Sequence, residues 1–235
     1  MYKGKSFLAI VPARGGSKRL ANKNCLLLDE KPLISYSIDA AKQSKYIDEI
    51  IVSTDSEIIA GIAKEMDISV PFLRPDEISQ DTSSQIDVVM HTINFLSDVK
   101  KEYDYIILLQ PTSPFRSGKH IDESIHLLAE EKAQAIVSVC KMEHSPLWCN
   151  TLGENNSMDD FLQDNIINKQ SQELDSYYNL NGAIYIIETK TFIKEKKFFL
   201  KKNIYAYIMN KISSIDIDDE YDLLYAASTI NFRQT

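Results

Sequence analysis

Several protein classes are excluded by what this chain lacks. Only 3 cysteines occur among 235 residues. Cys25, Cys140 and Cys149 form neither a C-x-x-C pair nor a zinc-type spacing, so reduced structural thiols are the default. The histidines, His91, His120, His126 and His144, show no spacing of the H-E-x-x-H kind. Long apolar runs are also missing. The first, Phe7 to Val11, is too short for the apolar region of a signal peptide, and no later run approaches the ~20 residues of a membrane span. A cytoplasmic protein with no membrane partner is expected. Cations are in deficit, 26 Lys and Arg against 34 Asp and Glu for a net charge of -8, which argues against a general nucleic-acid binder. No internal repeat, heptad array or low-complexity tail is present.

What is present reads as one α/β unit spanning residues 1–235. A hydrophobic content of 44% is enough for one substantial core. The β-branched or apolar runs 7–11, 50–52 and 105–109 alternate with helix-period stretches at 32–44, 58–66 and 86–96, which implies parallel strands. A short strand is expected at Val70 to Leu73, then a helix over 117–130 and a strand over 135–139. Regularity is lost over 141–178, the expected insertion, within which Trp148 is expected to pack rather than bind. It resumes with a strand at 183–187, a helix near 189–196, a strand at 205–209, and a last helix from Asp219 with Leu223, Leu224, Ala227 and Ile230 on one face. Loops at the carboxyl ends of strands form the ligand crevice in such sheets. Segments 12–24, 53–56, 74–84 and 110–116 are therefore expected to meet at one rim.

The first of these loops carries the strongest signal. Arg14, Lys18, Arg19 and Lys23 place four cations within ten residues of an acidic chain, and Gly15 and Gly16 are suited to positive φ and to presenting amides to an anion. The loop reads as a phosphate cradle, although neither G-x-x-x-x-G-K-[ST] nor G-x-G-x-x-G is present. A second feature is Asp216-Ile217-Asp218. If extended, it turns both carboxylates to one side, where hard oxygen ligands suit Mg²⁺. The same residues also read as a helix start, with Asp218 or Asp219 as the cap.

The run A-R-x-x-S-K-x-L-x-x-K-N, from Ala13 to Asn24, resembles the nucleotide loop of the CMP-sialic acid synthetases, the acylneuraminate cytidylyltransferases. Ser53-Thr54-Asp55, Leu73-Arg74-Pro75, Leu109 to Pro114, Asn181 to Tyr185 and Ser214 to Asp218 resemble its further blocks, in family order. The resemblance implies a three-layer α/β/α Rossmann-like nucleotidyltransferase fold with a mostly parallel sheet. It implies that CTP and N-acetylneuraminate react to give CMP-sialic acid and pyrophosphate, with Mg²⁺ as cofactor, and that the chain forms a homodimer through an insertion at about 141–178. Ala13, Arg14, Ser17, Lys18, Lys23, Asn24, Arg74 and Ser83 are then the nucleotide side. Gln110, Thr112, Gln172, Asn181 and Tyr185 are the sugar side, and Asp216 and Asp218 are the metal ligands, which with Arg14 and Lys23 carry the chemistry. One departure is that many sialate enzymes have R-Q-x-L before N-G-A-I-Y, where this chain has Ser171-Gln172-Glu173-Leu174. Another sugar therefore stays open, CMP-legionaminate synthesis first and a CMP-Kdo or CMP-pseudaminate enzyme after it. So does a non-catalytic nucleotide-binding regulator on the same scaffold, although the loop cations and the Asp pair that catalysis needs are all present.

Overall fold

The computed structural model describes residues 1–16, 19–80 and 82–234, with side chains up to Ile230. Strand β1 (Phe7–Pro12) alternates strictly between two cores: Phe7, Ala9 and Val11 enter one, Leu8 and Ile10 the other. That alternation is the period of an extended chain buried on both faces. A tight hairpin follows, β2 (Leu27–Leu28) with β3 (Lys31–Pro32), turned by Asp29 and Glu30 at positive φ. Then come α1 (Leu33–Gln43), β4 (Glu49–Ser53), α2 (Glu57–Glu65), α3 (Gln85–Asp98), β5 (Tyr105–Leu108), α4 (Gly118–Glu130) and β6 (Ala135–Lys141). The chain finishes with β7 (Tyr178–Glu188), α5 (Thr189–Glu195), β8 (Ile204–Met209) and α6 (Glu220–Gln234).

Among the described residues, six strands form one sheet in the order β4-β1-β5-β7-β6-β8, in which only β7 runs antiparallel. Helices α1, α2 and α4 cover one face, burying Ile34, Ile38, Ile59, Ala63, Ile121 and Ile125. Helices α3 and α5 cover the other with Val89, Leu96 and Phe192. The layering is therefore α/β/α. The caps are those the local sequence offers. Ser56, Ser84 and Ser117 each accept an N–H from the first turn of α2, α3 and α4, meeting donors that a helix start leaves unpaired.

Four expectations change. Val70 to Leu73 is not a strand; only isolated bridges, Ile51 to Ser69 and Thr54 to Leu73, tie this segment to the sheet edge, because Pro71 removes a ladder donor. Strand β7 begins five residues before Ala183, since its first half pairs with the end of β6. In α6 the inward face is Leu223, Ala226, Ala227 and Ile230, while Leu224 is 67% exposed. Finally, Asp216 to Asp218 lies outside any sheet, held by an Ile217 N–H to Thr112 O bond of 2.8 Å. Between β6 and β7 the chain has no regular element longer than a 3₁₀ turn.

Candidate active site

At the carboxyl ends of β1 and β5 the loops enclose a cavity of about 390 Å³, within the range of small-molecule sites, while the 53–56 loop stands behind it, holding Gly15 and Arg74. Its lining includes Arg14, Lys23, Asn24, Arg74, Ser83, Gln110, Thr112, Asp216 and Asp218. A larger cavity of about 510 Å³ opens at the opposite, amino ends of β1 and β5, between α3 and α5. Lys5 is paired with Asp104 there and Lys101 with Glu49, and the cavity lies away from the crevice where open α/β sheets hold ligands.

The first loop is tied to its neighbour at Gly15. Gly15 donates its N–H to Asp55 Oδ1 at 2.8 Å, so that amide is turned to a neighbouring loop and not to an anion. Neither Gly15 nor Gly16 takes positive φ; Asn22 supplies the left-handed turn. A Cβ on Gly15 would sit 3.0 Å from Ser56 Cβ, so close approach is the reason for glycine there. Ala13 is fully buried and bonded to Ser53 O, setting the loop's exit from β1. Ser17 and Lys18 lie outside the described residues.

Lys23 is only 13% exposed at its side chain, which excludes a solvated loop lysine. Its ammonium donates to Ile217 O at 2.9 Å and to Asp218 Oδ1 at 3.0 Å. Arg19 reaches the other oxygen of Asp218 at 3.2 Å. Asn24 is buried and spends one amide N–H on Arg14 O. Arg74, 6% exposed, donates to Ser53 O, while its Nε is buried with no hydrogen-bond partner. Burial lowers its pKa to about 10, Asp55 opposes that and Arg14 adds to it. Among the described residues no carboxylate contacts it, so it is a buried cation beside the cavity and not the surface ion pair that an isolated arginine in a loop would suggest. Ser83 accepts the Gln80 N–H at 2.9 Å and closes the loop ahead of α3.

The two readings of the acidic segment separate cleanly. Asp219 caps α6, accepting N–H bonds from Tyr221 and Asp222, and Asp222 reciprocates by accepting those of Asp218 and Asp219. The carboxylates of Asp216 and Asp218 are thereby not spent on the helix and both line the cavity, that of Asp218 paired with Lys23 and Arg19, while Ile215 and Ile217 are buried beneath. Asp216 is open to solvent on the cavity side but crowded by protein elsewhere, and that partial desolvation raises its pKa; a Thr112 hydrogen bond opposes the rise and Asp218 adds to it. Two carboxylates in mutual repulsion, one with no cation in direct contact among the described residues, are of the kind that could hold a hard divalent ion. Among the described residues no group of three or more such ligands occurs.

On the expected sugar side, Gln110 and Thr112 line the cavity, but Gln172, Asn181 and Tyr185 do not. Gln172 is exposed in the insertion and bonded to Gln170. Tyr185 packs against Phe198 and Phe199, its hydroxyl pKa raised by burial and then by Asp216. Asn181 is 3% exposed and fully used: Oδ1 accepts from Ser138 Oγ at 2.6 Å and Ala183 N at 3.2 Å, and Nδ2 donates to Ser214 Oγ at 2.9 Å. The pairing of β6 with β7 shifts between Val137 and Val139, and Asn181 with Ser138 supplies the bonds that the bulge removes. Asn181→Leu is therefore expected to cost ~1–3 kcal/mol of stability by leaving those partners unpaired. Denaturant unfolding checks this, and an unchanged midpoint would refute it.

Sequence reading missed Gln80, Gln85 and Val88 on the cavity wall, and Arg19 on Asp218. Only Arg19 had a signal, its place in the cationic loop.

Comparison with known proteins agrees with this geometry. The Cytidylyltransferase family profile matches residues 8–226. An N-acylneuraminate cytidylyltransferase of Escherichia coli O18:K1:H7 is 39% identical over 92% of this chain; the chain spans half the length of that relative. A CMP-N,N'-diacetyllegionaminic acid synthase of Legionella pneumophila is 38% identical over 92% of both chains. Among solved structures, a CMP:2-keto-3-deoxy-manno-octonic acid synthetase complexed with CTP superposes with a TM-score of 0.73 over 97% of this chain and 99% of that one. Its identity is 15%, a likeness of fold alone.

Proposed function

Because the chain belongs to the cytidylyltransferase family, we propose that it transfers the cytidylyl group of CTP to a nonulosonic acid, N-acetylneuraminate in the first reading, releasing pyrophosphate. The observation that carries this is one cavity lined together by Arg14, Lys23, Asn24 and Arg74, by Asp216 and Asp218, and by Gln110 and Thr112, with Lys23 in direct contact with Asp218. The anomeric hydroxyl attacks the α-phosphorus in line. Charge then grows on the non-bridging oxygens and on the departing pyrophosphate, so catalysis rests on positioned cations. Arg14 and Lys23 supply them from the loop, and Arg74 and Asn24 hold the nucleoside end. Asp216 and Asp218 would hold Mg²⁺, which when bound neutralises phosphate charge and lowers the pKa of a nearby hydroxyl. A cytoplasmic reaction is part of the proposal, since CTP is the donor.

The sugar end is the open choice. The legionaminic relative matches nearly end to end in both chains, and the expected R-Q-x-L is Ser171 to Leu174 here, so a CMP-legionaminate synthetase is the second reading. A panel of nonulosonates with CTP and a pyrophosphate readout decides between them: the best substrate by kcat/KM names the sugar, and no turnover with any of them overturns the proposal. Within that assay, Gln110→Leu is expected to raise the sugar KM by ~5–150-fold, the equivalent of ~1–3 kcal/mol for unpaired polar groups, while CTP affinity holds. Equal loss of both would remove Gln110 from the sugar side.

The pairing of two copies through the insertion is part of the same proposal. Leu152, Met158 and Ile167 of the insertion, Tyr178 and Leu180 of β7 and Ile208 of the edge strand β8 are exposed, and their burial against a second copy would relieve that exposure. Sedimentation at micromolar concentration should give a dimer, and Leu180→Asp should shift it toward monomer. A wild-type monomer would remove the pairing from the proposal.

A further inference from the structure

Arg116 follows the Gln110 to Pro114 loop and is buried to 3% exposure, yet its Nη donors reach only neutral oxygens and its Nε is buried with no hydrogen-bond partner among the described residues. Nη1 donates to Gln110 O at 3.2 Å and to Ala183 O at 2.6 Å; Nη2 donates to the Ser37 hydroxyl. Burial lowers the guanidinium pKa to about 9, with no opposing charge to restore it. Enclosing a cation without a counter-ion is costly, and a side chain placed there against that cost is held for its bonds.

Those bonds converge on one residue. Gln110 O also accepts from Ser37 Oγ at 3.2 Å and from Ser113 N at 3.3 Å, so three donors fix this carbonyl. The Gln110 side chain passes against Gly182, where a Cβ would lie 2.5 Å from Gln110 Oε1. Gly182 holds φ +69°, which favours glycine at that contact. Ala183 is the next residue. One guanidinium thus ties the backbone on both sides of the Gln110 to Gly182 contact, from the β5 loop to β7. Two residues further along, Thr112 O takes the Ile217 N–H between the two cavity carboxylates.

We propose that Arg116 is a positioning residue for the sugar side: its fork locks the 110–116 loop to β7 and so presents the Gln110 amide into the cavity. The role rests on the functional reading above. A lysine cannot replace the fork, because an ammonium is a point charge that does not span two carbonyls and a hydroxyl in one plane.

The test compares Arg116→Lys, Ser37→Ala, Gln110→Ala and the Arg116→Lys, Gln110→Ala double variant, each checked for fold by circular dichroism. Arg116→Lys should raise the sugar KM about tenfold with the CTP KM within about twofold, and should add little in the Gln110→Ala background, the non-additivity expected of one residue acting through another. Should Arg116→Lys fail to fold, Ser37→Ala, which removes one donor from Gln110 O and one acceptor from Arg116, is expected to show the same split at smaller size. Equal change in both KM values, or multiplicative effects in the double variant, overturns the proposal. Hydrogen exchange gives a readout independent of turnover: the Ser113 and Ile217 amides should exchange faster in Arg116→Lys while those of α2 stay protected. If wild type turns over no nonulosonate, the functional reading has failed, and the exchange data still decide whether Arg116 locks the loop; unchanged protection there says that it does not.

Discussion

Lys23→Ala lowers turnover by ~10²–10³-fold with the fold intact, the scale of losing one preorganised electrostatic group. The expectation rests on place as well as charge. The ammonium is nearly enclosed, beside the cavity, and bonded to Ile217 O and Asp218, so it needs little reorganisation to meet a phosphate oxygen. A loop lysine in free solvent would forfeit most of that advantage to screening. Truncation also leaves Ile217 O without this donor and Asp218 with Arg19 as its cation among the described residues, so the acidic segment loses one of its holds. Steady-state kcat at saturating CTP and sugar, with circular dichroism for fold, tests the point. A folded Lys23→Ala protein with near-wild-type kcat would remove Lys23 from the chemistry.

Asp216→Asn and Asp218→Asn should each reduce activity by about 10²-fold or more and raise the Mg²⁺ concentration needed for half-maximal rate, on the scale of losing a group that organises transition-state charge. Asn caps a helix about as well as Asp, so a capping role would spare activity. That role already belongs to Asp219 and Asp222. Stability moves the other way for Asp216. Its folded pKa lies above its ordinary value, so the native state binds that proton more tightly than the unfolded chain and gains stability as pH falls through the folded value. At neutral pH the ionised carboxylate is a cost, and Asp216→Asn should raise the melting temperature of the ligand-free protein while reducing turnover. Mg²⁺ titrations of rate and thermal melts of the three proteins test both halves. Full activity in excess EDTA would rule out the metal role, and a lowered melting temperature would contradict the electrostatic account of Asp216.

Much of this protein was decided by the sequence alone, through local and periodic physics. The short apolar run of Phe7 to Val11, the helix-period runs at 32–44 and 58–66, and the serines ahead of α2, α3 and α4 determine their elements within a few residues, because each rests on neighbours close in the chain. The meeting of the 12–24, 74–84 and 110–116 loops followed from parallel strand order, which puts their carboxyl ends on one edge. Tertiary structure alone decided which polar groups remain for a ligand. Asn181 looked like a ligand amide because its type suits hydroxyls and carboxylates, but the shifted β6 to β7 pairing consumes it. Asp218 and Asp219 were equal candidates for a cap until the start of α6 assigned that role to Asp219. Gly15 was read for positive φ and is needed instead for its approach to Ser56. In each case the deciding partner lies far along the chain or in a backbone geometry that residue type leaves open. A polar side chain has one set of hydrogen bonds to make, and only the folded neighbourhood determines whether the protein or the substrate receives them.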